Sequence, residues 1–166
     1  MAKFSDLIAY FESIATNHKS ILHKESEKHF FRMEIDEVLA GINRTDVNYP
    51  MLILEGYSFN FTDNRSDNIL KNRRGAFILM DHVSDISDYD AIHQKWDQLE
   101  VIGDEILAKI RSDKRNPETP VVRAFDFNSL ESSLIMNEIN HGVGIRYQYT
   151  ITGTAPMEVD STKWLT

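Results

Sequence analysis

The sequence of 166 residues contains no cysteine and few residues that break regular structure, with seven glycines and four prolines. Without cysteine, the chain forms neither a disulfide framework nor a thiolate zinc site. It also has no low-complexity tract and no internal repeat. Because 42% of the residues are hydrophobic, we expect a single domain over residues 1–166 that needs no covalent or metal support.

Long apolar runs are also missing. No run approaches ~18 consecutive apolar residues, so no membrane span and no membrane partner are expected. The segment Met1–Phe11 carries a single lysine and early acids, and it lacks the apolar centre and cleavage site of a signal peptide. These absences favour synthesis in the cytoplasm.

Positive charge is scarce, since 26 acidic residues outnumber 18 basic residues and the formal charge is −8. Tight binding to nucleic acid normally requires concentrated Lys and Arg. The one basic cluster, Lys71, Arg73 and Arg74, is short and lies beside Asp63 and Asp67. The charge therefore argues against specific DNA binding, although an acidic channel would let DNA slide without sticking.

Two segments have the apolar spacing of amphipathic helices. The first predicts a helix over about residues 3–17, and the second predicts a longer helix over Asp88–Asp113, capped by Ser87 or Asp88. The apolar stripe of the longer helix consists of Ile92, Trp96, Leu99, Gly103, Ile106 and Ile110. A helical glycine costs roughly 1 kcal/mol against alanine, so we expect Gly103 to mark a close approach to the sheet.

Alternating or continuous apolar runs predict three main strands: Met51–Phe61, Ala76–Val83 and Gly144–Thr152. Within the first, Met51–Leu54 is apolar on both faces. The polar segment Thr62–Arg74 is predicted to be a wide, exposed hairpin loop and a candidate contact surface.

Weaker signals complete the prediction. Val121–Phe127 alternates as a strand, and Leu130–Ile139 is either its partner or an irregular excursion. A short strand at His29–Met33 is followed by one or two helical turns over Ile35–Ala40, and residues 155–166 form an extended tail. This order predicts an α+β fold: a mainly antiparallel sheet of four or more strands with two amphipathic helices packed on one face.

One acidic cluster has the chemistry of a cation site, because hard cations such as Mg²⁺ and Ca²⁺ take carboxylate oxygens. It comprises Asp81, His82, Asp85, Asp88 and Asp90. The segment lacks the offsets of an EF-hand, and a helix N-terminus attracts Asp for capping and dipole reasons alone. We therefore favour a cap and a solvated loop, and expect no metal.

Catalytic motifs are missing as well. The six histidines never form an i, i+4 pair, and there is no G-x-S-x-G and no glycine-rich phosphate loop followed by a helix. We therefore predict no enzyme activity, no catalytic residues and no cofactor. Two alternatives stay open: a small Mg²⁺-dependent nuclease using Asp81, Asp85 and Asp126, and an acidic adaptor or inhibitor that mimics DNA. Mixing of Lys and Arg with the acids argues against the inhibitor.

The order of elements resembles the tail terminator or tail-completion proteins of long-tailed phages. The matching parts are Phe4–Ala15, Met51–Phe61, Ala76–Val83, Asp88–Asp113 and Gly144–Thr152. The resemblance implies a structural virion protein of a phage or prophage. It would assemble in the host cytoplasm as a ring of identical subunits, commonly six, that caps the tail tube in the neck and meets the connector proteins. DNA would pass through its channel without specific binding.

Such a ring requires contacts between subunits. The candidates are Arg65, Arg73 and Arg74, which can pair with acids of the next subunit, and Trp164 and Leu165, which can serve as apolar anchors. For the tail that carries Trp164 and Leu165, two interpretations stay open. It either folds back onto its own sheet or docks on a neighbour.

Overall fold

A computed structural model describes residues 3–32, 47–63, 65, 69–137, 141–155 and 157–165. In these ranges the chain has two α-helices, six strands and two short 3-10 turns at Pro120–Val122 and Ser161–Lys163. The helices are α1 (Phe4–Asn17) and α2 (Tyr89–Asp113). The strands are β1 (Phe30–Phe31), β2 (Met51–Leu54), β3 (Ser58–Asp63), β4 (Ile69–His82), β5 (Phe125–Asn137) and β6 (Gly142–Ala155).

All six strands belong to one sheet with the order β1-β2-β4-β6-β5, and β3 pairs with β4 beyond the end of β2. Only β1 and β2 are parallel, and the other pairings are antiparallel. The prediction of an α+β fold with a mainly antiparallel sheet of four or more strands is confirmed. The long strand β4 lies at the centre and pairs with β6 from Ile69↔Ala155 to His82↔Gly142.

The main core is one cluster that combines side chains of both helices with side chains of the sheet. Alternate strand residues such as Leu52, Phe77 and Leu79 point into it and are fully buried. The helices contribute Leu7, Phe11, Ile14, Ala15, Leu99, Ile102, Ile106 and Ile110 to this cluster. Packing of both helices on one face stays a prediction, and their membership of one cluster supports it.

The opposite face of the central strands is also apolar. Met51, Ile53, Ile78 and Met80 are 0% exposed and form a second cluster, against which Ile135 and other half-buried side chains pack. This arrangement explains why Met51–Leu54 is apolar at every position: β2 has a core on each side, as the sequence predicted.

Further along the chain the same face becomes polar. Glu55 is only 7% exposed and accepts two hydrogen bonds from Arg146, at 3.0 Å from Nε and 2.7 Å from Nη2. Arg146 Nη1 also donates to Gln148 at 2.9 Å. The buried carboxylate keeps its hydrogen bonds and a counter-charge that is itself half-buried, which is the arrangement that makes burial of a charge tolerable.

Three sequence predictions about strands are corrected. Met51–Phe61 is two strands, because the chain leaves the ladder between Leu54 and Ser58. The predicted loop Thr62–Arg74 is strand at both of its ends: β3 ends at Asp63 and β4 begins at Ile69, where polar side chains are accommodated by cross-strand pairing at the exposed end of the sheet. Val121–Phe127 begins as a 3-10 turn after Pro120, and the strand starts only at Phe125.

The segment Leu130–Ile139 also differs from its prediction. Its described residues continue β5 and pair with β6 instead of pairing with Val121–Phe127. The short strand predicted at His29–Met33 is present as Phe30–Phe31. Met33 and the helical turns predicted over Ile35–Ala40 lie outside the described residues.

Candidate assembly surface

One end of the sheet is formed by β3 and the first half of β4, which we call the edge hairpin (Ser58–Asp63 with Ile69–Arg74). Every residue of β3 is exposed. Within the described residues, β3 pairs only with β4, so its outer edge keeps free backbone donors and acceptors. An exposed edge of this kind is able to pair with another strand.

The edge hairpin carries an aromatic and basic face. Phe59 and Phe61 are 52% and 48% exposed, and their rings meet edge to face with centroids 5.8 Å apart. The ammonium group of Lys71 lies 3.6 Å from the centroid of Phe59. Tyr57 continues the row inward, where Phe4 of α1 packs against it at 5.2 Å. Two large rings therefore stay in solvent beside a cation, although an apolar core lies close by.

The predicted interface arginines do not share one surface. Arg73 and Arg74 are consecutive in β4, so their side chains point to opposite faces of the sheet. Arg73 is 7% exposed and stacks at 5.3 Å on Tyr57, whereas Arg74 is exposed and lines a cavity of about 490 Å³ with Glu55 and Arg146. Of these two arginines, only Arg74 is exposed enough to contact another subunit.

Arg65 lies beyond the end of β3. Its backbone φ is +60°, and its N–H donates to the Asp63 carboxylate at 2.7 Å. This hydrogen bond is typical of an Asx turn. The Arg65 side chain is exposed at the tip of the edge hairpin.

The segment after the sheet, residues 157–165, is exposed throughout. Trp164 is 69% exposed and Leu165 is fully exposed, which supports the interpretation that they dock on a neighbour over the one that they fold back onto their own sheet. Asp160 caps the short turn Ser161–Lys163 by accepting from Thr162. The Thr162 hydroxyl and Lys163 lower the pKa of Asp160 below its ordinary value, which keeps this carboxylate charged.

Two further surfaces stand out. The solvent side of α2 exposes the acids Asp90, Asp97, Glu100 and Asp104, and nearer its end it exposes Lys109 and Arg111. Strand β5 forms the opposite edge of the sheet from β1, and it exposes Leu134 and Met136 to 59% and 43%. The edge hairpin, the face of α2 and the edge of β5 thus differ in charge and shape.

The residues of the nuclease alternative are not brought together. Asp81 pairs across the ladder with Val143 and Asp126 with Thr150, seven residues apart on β6, which corresponds to about 23 Å. Asp81 forms an ion pair with Lys95 at 2.8 Å.

The remaining acids of the predicted cation cluster have local roles. Asp88 caps α2 by accepting from Ala91 at 3.0 Å, and Asp85 accepts from Ser87, which lowers its pKa. In the described ranges, no three His or acidic residues are grouped so as to hold a metal ion. The cluster at the start of α2 therefore has the geometry of a cap and turn.

The sequence did contain the signal for the aromatic face. Tyr57, Phe59 and Phe61 alternate with Ser58 and Asn60, which predicts a strand with one aromatic side. The alternation by itself assigns that side neither to the core nor to the surface. The aromatic side is exposed because the interruption after Leu54 places β3 at the end of the sheet, where α1 covers only Tyr57.

No known family model matches the sequence, and no curated protein is significantly similar to it. Neither helix in the described part of the chain is both long enough and apolar enough to cross a membrane.

Proposed function

We propose that this protein is a structural subunit of a virion ring, a tail terminator or tail-completion protein at the head–tail junction of a long-tailed phage or prophage. The observation that carries the proposal is the exposed aromatic face of the edge hairpin, Phe59 and Phe61 beside Lys71. Half-exposed Phe rings next to a core are most easily explained by a surface that another chain covers.

The available surfaces favour a ring over a two-fold dimer. A two-fold interface uses the same patch on both subunits, whereas a closed ring requires two different patches that fit each other. Lys71 lies on the aromatic face of the edge hairpin, Arg74 lies on its other face and Arg65 lies at its tip, whereas the solvent side of α2 carries a row of acids. Opposite charges on separate elements of one chain support contact between the edge hairpin of one subunit and α2 of the next.

The sheet edges support the same arrangement. Strands β3 and β5 lie at different edges, and in the described residues neither has a second neighbour. Trp164 and Leu165 provide an additional anchor for a neighbouring subunit or for a partner protein of the tail. Tail tube and connector proteins are the partners that this proposal requires, with DNA passing through the acidic ring without specific contacts.

The decisive experiment is electron microscopy of the purified protein, alone and mixed with tail tubes from the same phage. We expect rings, or a distinct cap at one end of the tubes. A protein that stays a monomer or a two-fold dimer under both conditions, and binds to no tube, would refute the proposal.

A matched pair of variants tests the surface itself. Phe61→Ser should abolish ring formation without lowering thermal stability, because the ring is about half-exposed in the monomer. Leu22→Ser is the control, since Leu22 has the same 48% exposure as Phe61 but lies in the turn after α1, far from the edge hairpin in sequence. If both variants assemble like the parent protein, the edge hairpin is not the interface.

A second comparison tests the nuclease alternative. Purified protein is incubated with plasmid DNA and Mg²⁺ or Mn²⁺, and we expect no cleavage. Cleavage that disappears in Asp81→Ala would contradict a purely structural role.

A further inference from the structure

Arg73 is a buried cation that has no anionic partner among the residues that the structure describes. Its side chain lies on the same side of β4 as Phe77 and Leu79, and the residue is 7% exposed. Its Nε has no hydrogen-bond acceptor, and in the described residues no carboxylate lies within ion-pair distance of the guanidinium. In the described part of the chain, the ring of Tyr57 at 5.3 Å is the one favourable electrostatic contact of Arg73.

This situation is energetically unfavourable. An arginine does not lose its proton in a protein, so burial cannot be relieved by neutralisation. A buried charge without a counter-charge costs several kcal/mol, and each unsatisfied donor adds to that cost. A bound anion would remove both penalties.

The structure offers space for such an anion. Arg73 lines a cavity of about 280 Å³ at the base of the edge hairpin, and a second arginine, Arg123, lines the same cavity. The remaining described lining consists of Leu7, Pro120, Val121, Ala124, Ile151, Gly153 and Thr154, with no acidic residue among them. Two cations thus face an otherwise mostly apolar space in a protein whose overall charge is −8.

We propose that this cavity is a binding site for a carboxylate, held by Arg73 with assistance from Arg123. A planar guanidinium matches a carboxylate through two parallel hydrogen bonds. One buried arginine and one exposed arginine suit a single negative charge better than a doubly charged phosphate. The apolar lining accommodates the carbon atoms that carry the carboxylate.

Two sources supply this chemistry: a small free carboxylate, or an acidic side chain of a protein segment. The chain itself contains a segment of the second kind, Met157–Asp160, in which exposed acids alternate with exposed apolar side chains. It begins shortly after Thr154, which lines the cavity. The inference is independent of ring formation, because a monomer with the same cavity would bind the same group.

The test is titration of the full-length protein at constant ionic strength with sodium acetate, sodium phosphate, or a synthetic peptide of residues 157–165, with sodium chloride as reference. NMR detection of the Arg73 Nε–H resonance and thermal unfolding are the readouts. We expect acetate to shift the resonance saturably and to raise the melting temperature above the chloride reference. Phosphate should bind more weakly than acetate.

Variants locate the effect. Arg73→Gln should weaken acetate binding at least tenfold, and Arg123→Gln should weaken it less, whereas Arg111→Gln, an exposed arginine on α2, should leave it unchanged. If Arg73→Gln does not fold, two other results test the proposal: the shift of the Arg73 resonance in the parent protein and the acetate affinity of Arg123→Gln. Peptide binding at least tenfold tighter than acetate identifies an acidic protein segment as the source, and equal or weaker peptide binding identifies a small carboxylate. No saturable response, or one that survives in both cavity variants, would overturn the proposal.

Discussion

Gly103 of α2 lies directly against the ring of Tyr147 in β6. A Cβ atom added at Gly103 would collide with the Tyr147 hydroxyl and with the ring carbon that carries it. The contact confirms the close approach of helix and sheet that the sequence predicted at this position. Burial, followed by the nearby charges of Asp104 and Glu100, raises the pKa of Tyr147 to about 12.

Replacement of Gly103 by alanine tests this contact. Alanine raises helix propensity by about 1 kcal/mol, but overpacking of a filled site costs about 1–3 kcal/mol. We expect Gly103→Ala to lower the free energy of unfolding in urea. The loss should be smaller when Tyr147→Phe is also present, because the hydroxyl is the atom closest to the added methyl group. A Gly103→Ala protein that is more stable than the parent would show that helix and sheet are not in contact here.

The buried ion pair of Glu55 and Arg146 predicts strong energetic coupling. Either single replacement by alanine leaves the other charge without its partner, and we expect each to cost about 1.5–3 kcal/mol. The double variant should lose less than the sum, with a coupling energy of at least about 1 kcal/mol. Lys24 and Glu27 form the control pair, because both side chains are exposed and their coupling should stay below about 1 kcal/mol. Equal coupling energies in the two pairs would contradict the expectation that burial strengthens the interaction between Glu55 and Arg146.

Trp96 and Leu99 allow a ranking of core positions. The sequence predicted that Trp96 is buried and that Trp96→Ala is among the most harmful changes, at a cost of roughly 3–5 kcal/mol. In the structure Trp96 is half-buried and its Nε1 donates to Ile135 O at 3.3 Å, whereas Leu99 is 0% exposed. We now expect Leu99→Ala to lower the melting temperature at least as much as Trp96→Ala. The reverse order would place Trp96 at the centre of the core.

His23 predicts a loss of stability in mild acid. Its Nδ1 accepts hydrogen bonds from the backbone N–H groups of His29 and Phe30 at 3.1 and 3.2 Å, which requires the unprotonated nitrogen. Burial lowers the pKa of His23 below 6.5, although Glu12 acts in the opposite direction. Because the unfolded chain takes up this proton more readily, the contribution is complete above about pH 6.5 and is lost as the pH falls through the lower, folded-state pKa.

Two measurements check this expectation. An NMR titration of the histidine rings should give His23 a pKa below 6.5. His23→Asn keeps an acceptor near the two N–H groups but does not titrate, so its stability should depend less on pH than that of the parent protein. If the pH dependence of stability is the same in His23→Asn as in the parent protein, groups other than His23 cause the loss of stability in acid.

The exposed segment 157–165 predicts a separation of stability from assembly. Trp164→Ser and Leu165→Ser should leave the melting temperature within about 2 °C, because surface changes usually alter stability by less than about 0.5 kcal/mol. Both should weaken binding to tail tubes if this segment is an anchor. A clear fall in melting temperature would mean that these side chains pack on their own domain in solution.

The elements with strong periodicity were predictable from the sequence. Helix α2 was placed within one residue of its observed start, Tyr89, because its apolar stripe and its Asp88 cap agree. The edge hairpin was not predictable in the same way. Ile69–Arg74 is polar and lacks a clear alternation, and it forms a strand because β3 and β6 pair with it from both sides.

The candidate site was predictable only in part. The exposure of Trp164 and Leu165 agrees with their position outside any periodic element. Arg73 and Arg74 were placed together on a surface because a loop was expected, and the strand geometry instead sends Arg73 into a cavity. Whether a single arginine is buried depends on the neighbours that the tertiary structure brings to it, in this case Tyr57 and Arg123. These neighbours cannot be predicted from the residues adjacent to Arg73 in the sequence.

The unbroken run of β4 has a mechanical consequence. All 14 of its residues pair with β6, from the edge hairpin at one end to the body of the domain at the other. A pull on the edge hairpin along the strand direction would therefore load the whole ladder in shear, so that many hydrogen bonds share the force. A pull across the strands would meet only the pair at the end of the ladder and would unzip β3 first. A protein held in this way resists tension along one axis and yields along the other.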